Sequence, residues 1–263
     1  MKNILNPLIV NSKILHYFSI KEFIVLLLLV FNFHSSISQE LKGKITYQAT
    51  LSDYNKLEWD NMINSLDSFT GLDKSNPIPI NFHLLFDSDK ALYQAEYDLE
   101  TKRKMGFTMN ETGLAASHDR KYFTNLQTQE HFYQSFWTKD VLVNLDKVEW
   151  NLTNVTKMIG KYMCYKATAI IDSEQIGSLN HISPVVAWYT PEIPLPFGIQ
   201  SFNGLPGLTM ELTMELEKGK VTYIVTNIEI SPEEKIILER PNGTKWMSEK
   251  EYISHIKKLN ANR

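Results

Sequence analysis

Cysteine is almost absent: Cys164 is the only one in 263 residues. A chain with one cysteine has no internal disulfide, so a cross-linked mini-fold is excluded and stability must come from a packed core. A small thiol in a strand is expected to be buried; a reactive thiol or an intermolecular bridge is the alternative. The familiar catalytic signatures are missing too. There is no G-x-S-x-G elbow, no H-E-x-x-H and no glycine-rich phosphate loop. His83, His118, His131, His181 and His255 are scattered without metal-ligand spacing. Ser117-His118-Asp119 has the residue types of a triad, but neighbours in an extended chain point in opposite directions. No catalytic residue, metal or cofactor is therefore expected, and the chain reads as non-catalytic. An enzyme with an unrecognised site is the remoter alternative. Basic clusters are also lacking, which argues against nucleic acid.

Long hydrophobic runs are limited to one. Phe23 to Phe33 is apolar over 11 residues, too short to cross a bilayer of about 30 Å. It follows Lys2, Lys13 and Lys21 and precedes small residues Ser36 and Ser38. This is the pattern of a secretory signal peptide over residues 1–38, cut before Gln39. No cysteine lies near the cut, so no lipid anchor is expected. The mature chain, 39–263, is expected to be one exported domain, in the periplasm or at the outer membrane, with no membrane span of its own. Without the leader's three lysines and one glutamate it has 24 basic and 29 acidic residues, a net charge of −5.

What is present is mostly strand. Lys44 to Leu51 alternates, as do Ile80 to Phe86, Ala91 to Tyr97, Met163 to Ile171 and Val185 to Tyr189. Weaker candidates are Met105–Met109, Lys121–Leu126, His131–Trp137 and Val141–Leu145. The clearest runs from Leu208 to Leu216, with Thr209, Glu211, Thr213 and Glu215 on the wet face, and turns at Lys218-Gly219 into Val221, Tyr223 and Val225. Glu211, Glu215 and Glu217 could mark a cation site, but a solvated face explains them as well. Two helices are expected. One carries Trp59, Met62, Ile63, Leu66 and Phe69, capped by Ser52 or Asp53 and stopped at Gly71. The other opens with the capping box Ser248/Glu251 and continues through Tyr252, Ile253, Ile256 and Leu259. The expected fold is α+β and mostly β: a curled antiparallel sheet with an N-terminal helix packed on it and a short C-terminal helix. Six aromatics, Tyr122, Phe123, Phe132, Tyr133, Phe136 and Trp137, fall within 16 residues. Paired as they are, they imply rings on both faces of a strand, as a two-sided core or an apolar groove.

One stretch stands out. Trp188 to Leu208 (WYTPEIPLPFGIQSFNGLPGL) holds four of the ten prolines and three of the eleven glycines. Prolines fix φ and remove donors, so 191–196 cannot be a central strand and should leave the sheet as a stiff, extended strap. Gly204 and Gly207 then permit positive φ or close backbone approach around Pro206. Two readings stand: a corner that sets register, or a rim whose Trp188, Tyr189, Ile193, Phe197, Phe202 and Leu205 line a site for a hydrophobic ligand or an envelope protein partner. As a docking edge, the strap would expose an apolar patch.

Asn203-Gly204-Leu205-Pro206-Gly207-Leu208 resembles the signature of the GLPGLI family, exported proteins of two-membrane bacteria. Trp150 to Thr156, Ile159-Gly160, Cys164-x-Lys166-Ala167-Thr168, Trp188-Tyr189-Thr190 with Glu192-Ile193-Pro194, and the closing Glu251-Tyr252 helix are similar in order. Thr209 departs from the isoleucine of the motif. The resemblance covers most of the mature chain and implies an antiparallel β-rich exported domain. It implies no activity and carries over no catalytic residue. The strand order also looks like that of lipoprotein-carrier half-barrels, an architectural analogy.

Overall fold

The computed structural model describes residues 41–59, 61, 77–96, 111–170, 181–217, 219–232 and 235–261. The leader, the strand expected at Met105–Met109 and the helix beyond residue 61 lie outside them. Glu40–Arg263 form one compact unit.

Among the described residues, twelve strands make one sheet. They are β1 (Lys42–Ser52), β2 (Ile80–Asp87), β3 (Lys90–Ala95), β4 (Arg120–Asn125), β5 (Glu130–Ser135), β6 (Val141–Asn144), β7 (Asn151–Ile159), β8 (Tyr162–Ala169), β9 (His181–Thr190), β10 (Leu208–Leu216), β11 (Gly219–Ile230) and β12 (Lys245–Ser248). Two helices have complete bounds, α1 (Glu111–Ala115) and α2 (Glu249–Ala261). The order is β12-β6-β5-β4-β3-β2-β1-β11-β10-β9-β8-β7. Every pairing is antiparallel except β12 on β6. The expected mostly-β class, with an antiparallel curled sheet, is what the chain adopts.

The curl follows from chain length. β6 and β7 stand ten strand positions apart, about 48 Å in a flat sheet. Yet only residues 145–150 join them, and seven Cα steps reach about 25 Å at most. The sheet must bend until its two ends approach each other, which makes it a half-barrel with an interior face.

Alternation decides which residues face inward. Ile45, Tyr47, Ala49 and Leu51 of β1, Ile80, Phe82, Leu84 and Phe86 of β2, and Val221 and Tyr223 of β11 all enter one core. Trp59, within the short helical stretch 56–59, is fully buried in it. Near β5 the sheet is covered on both sides: Tyr133 belongs to the main core, while Phe132 joins Leu92, Phe123 and Leu142 in a second cluster. Arg240 roofs that second cluster, 4.9 Å over the Phe132 ring and bonded through Nε to Glu130 at 3.0 Å. The expected rings on both faces are found for Phe132-Tyr133. Phe136 and Trp137 instead leave the strand in a 3-10 turn and are exposed.

Two expectations are corrected, and one long strand was not expected. Thr209 is buried, not on a wet face, although Leu208, Met210, Leu212, Met214 and Leu216 keep the apolar alternation; it lies at the start of β10, beside a register shift against β9. β7 is a strand that alternation does not reveal, because as an edge strand it is largely exposed. The proline-rich stretch is not extended: 191–207 doubles back, with Leu195 N on Ile193 O, Gly204 N on Pro196 O and Leu208 N on Ile193 O. Gln200 at φ +55° turns the tip between the bridged Ile199 and Phe202. Prolines fix φ alone, and that left-handed residue lets the chain reverse.

Candidate functional site

The folded loop 191–207 plugs the interior face. Ile193, Leu195, Phe197, Ile199, Phe202 and Leu205 are buried in the main core. The large apolar side chains of the loop are therefore covered, and among what it exposes are Pro191, Pro194, Pro196 and Pro206. The two glycines act differently. Gly204 takes φ +90°, where a Cβ would meet nothing within 4 Å. Gly207 needs no positive φ; a Cβ there would stand 2.1 Å from the Thr190 carbonyl oxygen.

Polar bonds seat the loop. Asn203 Oδ1 accepts from Gly198 N at 2.7 Å, and its Nδ2 reaches Thr124 Oγ1 at 3.1 Å and His131 Nε2 at 2.9 Å. Gln200 Nε2 donates to Ala116 O just after α1 at 2.8 Å and to the Tyr223 hydroxyl at 2.5 Å. The loop that follows β9 thus contacts β4 and β5, six and seven positions away in the sheet, as only a curled sheet permits. Burial holds His131 down to about 4, so it is a neutral acceptor at physiological pH.

The expected site residues divide. Ile193, Phe197, Phe202 and Leu205 meet in the core, and Tyr189 lies at its margin 6.1 Å from the Tyr165 ring. Trp188 is only partly buried against that core, and Lys157 Nζ sits 4.4 Å over its ring and 2.7 Å from Glu211 Oε2. Glu211 is therefore engaged by a lysine, and Lys220 lies 3.8 Å from Glu215. Among the described residues no group of three His, Cys, Asp or Glu could hold a metal. No helix among them is long and apolar enough to cross a membrane.

The triad types do not form a triad. Ser135 Oγ donates to Asp119 Oδ2 at 2.6 Å and accepts from Trp137 N at 3.2 Å, capping the 3-10 turn. His118 is buried and His131 largely so, but they serve different clusters: His118 lies 6.1 Å from the Phe136 ring, and His131 bonds Asn203. His83 stands 3.2 Å from Glu96 on the other face of β2. His181 is described in its backbone only.

A feature missed by sequence reading runs along the interior face. Tyr223, Phe82, Tyr93, Tyr122, Tyr133 and Tyr252 form an unbroken row of rings, with centroids 5.8, 5.3, 6.0, 5.5 and 5.8 Å apart in turn. It crosses from β11 through β2–β5 to α2. Cross-strand register builds much of it, since Tyr93 pairs with Tyr122 and Tyr122 with Tyr133. The hydroxyls of Tyr93 and Tyr133 are buried and have no hydrogen-bond partner among the described residues. Burial pushes Tyr122 up to about 12, and Tyr93, Tyr133 and Tyr223 well above the usual phenol range, so all stay neutral donors.

Arg120 stands at the α2 end of the row. Its Cζ lies 4.4 Å over the Tyr133 ring, and Nη1 is 3.8 Å from Glu249 Oε1. At that separation the charges attract, but no direct hydrogen bond forms. Burial opposes the charge of Arg120, yet Tyr133, Tyr122, Asp119 and Glu249 together keep it firmly protonated. Burial outweighs Arg120 at Glu249 and raises that carboxyl to about 7. Nearby Tyr252 donates to or accepts from Thr138 at 3.0 Å, fastening α2 beside this end.

Residues 174–211, which contain the whole Trp188–Leu208 stretch, match a family described as "Protein of unknown function (Porph_ging)". No curated protein matches the sequence. Among solved structures, PNGF-II in its P21 crystal form aligns with a TM-score of 0.49 at 17% identity, over 83% of this chain and 33% of that chain. The chain thus spans a third of the length of PNGF-II. The Mycobacterium tuberculosis lipoprotein LppX aligns with a TM-score of 0.28 at 10% identity, over 81% of this chain and 98% of that one. LprF from Mycobacterium bovis gives 0.30 at 10% identity, over 77% and 90%.

Proposed function

We propose that this chain is an exported, non-catalytic binding protein of the cell envelope, a member of the GLPGLI family, whose interior face holds a hydrophobic ligand. The observation that carries this reading is the aromatic row with its two buried, unpartnered hydroxyls at Tyr93 and Tyr133. A buried donor without an acceptor costs on the order of 1–3 kcal/mol. Phenylalanine would fill the same space without that cost, so hydroxyls here are best explained by an acceptor that arrives from outside the chain. The folded loop closes one end of the row through Gln200 and Tyr223.

Native purification from the producing cell, followed by mass spectrometry of the intact complex, tests the reading. One co-purifying amphiphilic molecule per chain is expected. An empty chain that also takes up no amphiphile when offered one would overturn it.

A further inference from the structure

We propose that Arg120, stacked over the ring of Tyr133, is the anchor for an oxyanion group, a carboxylate or a phosphate, on the ligand. This rests on the binding reading above and names the chemistry of its polar end.

Three features of the site converge. Arg120 carries a permanent charge in the interior, over the Tyr133 ring at 4.4 Å, while the nearest Glu249 oxygen is 3.8 Å away. A guanidinium offers five N–H donors in a planar fork, suited to two oxygens of one acid. Tyr133, under the guanidinium, adds a hydroxyl donor that has no acceptor among the described residues, while the Tyr122 hydroxyl is already bonded to Arg120. Finally, this end of the row is not sealed. The side chains of Arg120 and Glu249 retain 13% and 12% exposure, whereas the Tyr133 residue has none. An acid group reaches the fork from solvent at this end.

Glu249 is the built-in competitor. Its neighbours are Arg120 and Tyr133 from β4 and β5, Asp146 after β6, and Tyr252 on its own helix; Asp119 and Tyr122 flank Arg120. With its carboxyl protonated, Glu249 leaves the guanidinium to the ligand. Once ionised, it draws Arg120 to itself and adds a negative charge beside the incoming acid. Affinity for an acid should therefore fall as pH rises through the region near 7.

The probes are decanoate, decyl phosphate and the neutral decanol, titrated calorimetrically into the purified protein freed of endogenous ligand, with acetate and inorganic phosphate as tail-less controls. The decyl acids should bind at least tenfold more tightly than decanol. Arg120→Gln should remove that margin and leave decanol unchanged. Glu249→Gln should abolish the loss of decanoate affinity between about pH 6 and pH 8, a range in which decanoate itself stays ionised. If Arg120→Gln does not fold, Tyr133→Phe decides: it should weaken the decyl acids several-fold while raising the Tm of the empty protein. Equal binding of decanol and decanoate in every variant overturns the anchor and leaves the hydrophobic-ligand reading standing. Tail-less phosphate or acetate binding as tightly as the decyl acids supports the anchor and overturns the hydrophobic ligand. No binding of any probe overturns both.

Discussion

Trp150 Nε1 donates to the carbonyl oxygen of Asn203 at 2.9 Å. That bond joins the short connection between β6 and β7, which forces the sheet to curl, to the folded loop that fills the curl. Asn203 in turn holds Gly198, Thr124 and His131. Closure of the half-barrel and seating of the loop are thus one polar network.

Removing Asn203 should cost more than removing its tryptophan partner. Asn203→Ala strands the Gly198 N–H and breaks the links to β4 and β5, an expected loss of about 2–3 kcal/mol. Trp150→Phe forfeits one bond, about 1 kcal/mol. Urea unfolding of both variants measures this; equal losses would refute the ranking.

The two signature glycines should fail for different reasons. Gly204→Ala meets open space but must hold φ +90°, a strain of about 1–3 kcal/mol. Gly207→Ala meets a backbone oxygen at 2.1 Å, which moves only if β9 and β10 part. Thermal unfolding should place Gly207→Ala well below Gly204→Ala. A Gly207→Ala protein as stable as the parent would show that the close approach is not needed.

Stability against pH should contain two opposed contributions. Glu249 ionises near 7 in the fold against an ordinary 4.5, so the folded state holds the extra proton in between, and its stabilising contribution is lost as pH rises through that window. His131 titrates near 4 in the fold against an ordinary 6.5. There the unfolded chain holds the extra proton, and stability is lost as pH falls from 6.5 toward 4. Each effect is on the order of 2–3 kcal/mol with residual solvent allowed for. The parent should therefore vary little across pH 4.5–6.5. Glu249→Gln should show stability rising with pH, and His131→Gln stability falling. Chemical denaturation at stepped pH reads the slopes, and identical slopes in the two variants would sink the assignment.

Cys164 should be chemically silent in the folded protein. It is fully buried, its Sγ lies 3.7 Å from Tyr162 O, and burial pushes its thiol up. A thiol reagent should label it only on the timescale of unfolding. Rapid labelling under native conditions would contradict its placement.

Much of the architecture was legible locally. The β2–β3 hairpin around Ser88-Asp89, the alternation of β10 and the Ser248/Glu251 capping box, with Ser248 N on Glu251 Oε2 at 2.8 Å, all come from contacts within a few residues. β12 was not legible, since four residues paired in parallel with β6 carry no period of their own. β7 was missed because an exposed edge strand has no reason to alternate. The candidate site was the least legible part. Trp188 and Phe202 drew attention by composition, yet one lies under Lys157 and the other in the core. Tyr133 stood out only as part of the aromatic cluster, and Arg120 and Glu249 gave no signal, because 129 positions separate those two.

Residue order alone determined the periods, the turns and the absence of any cross-link or catalytic signature, because those depend on neighbours along the chain. It also required that the proline-rich stretch leave the sheet. Whether that stretch stayed extended or folded inward, and which tyrosines met in one row beside a buried arginine, was decided only by tertiary structure. A sheet of twelve strands has to bend when six residues join strands near its opposite ends, and that bend turned one of its faces into an interior.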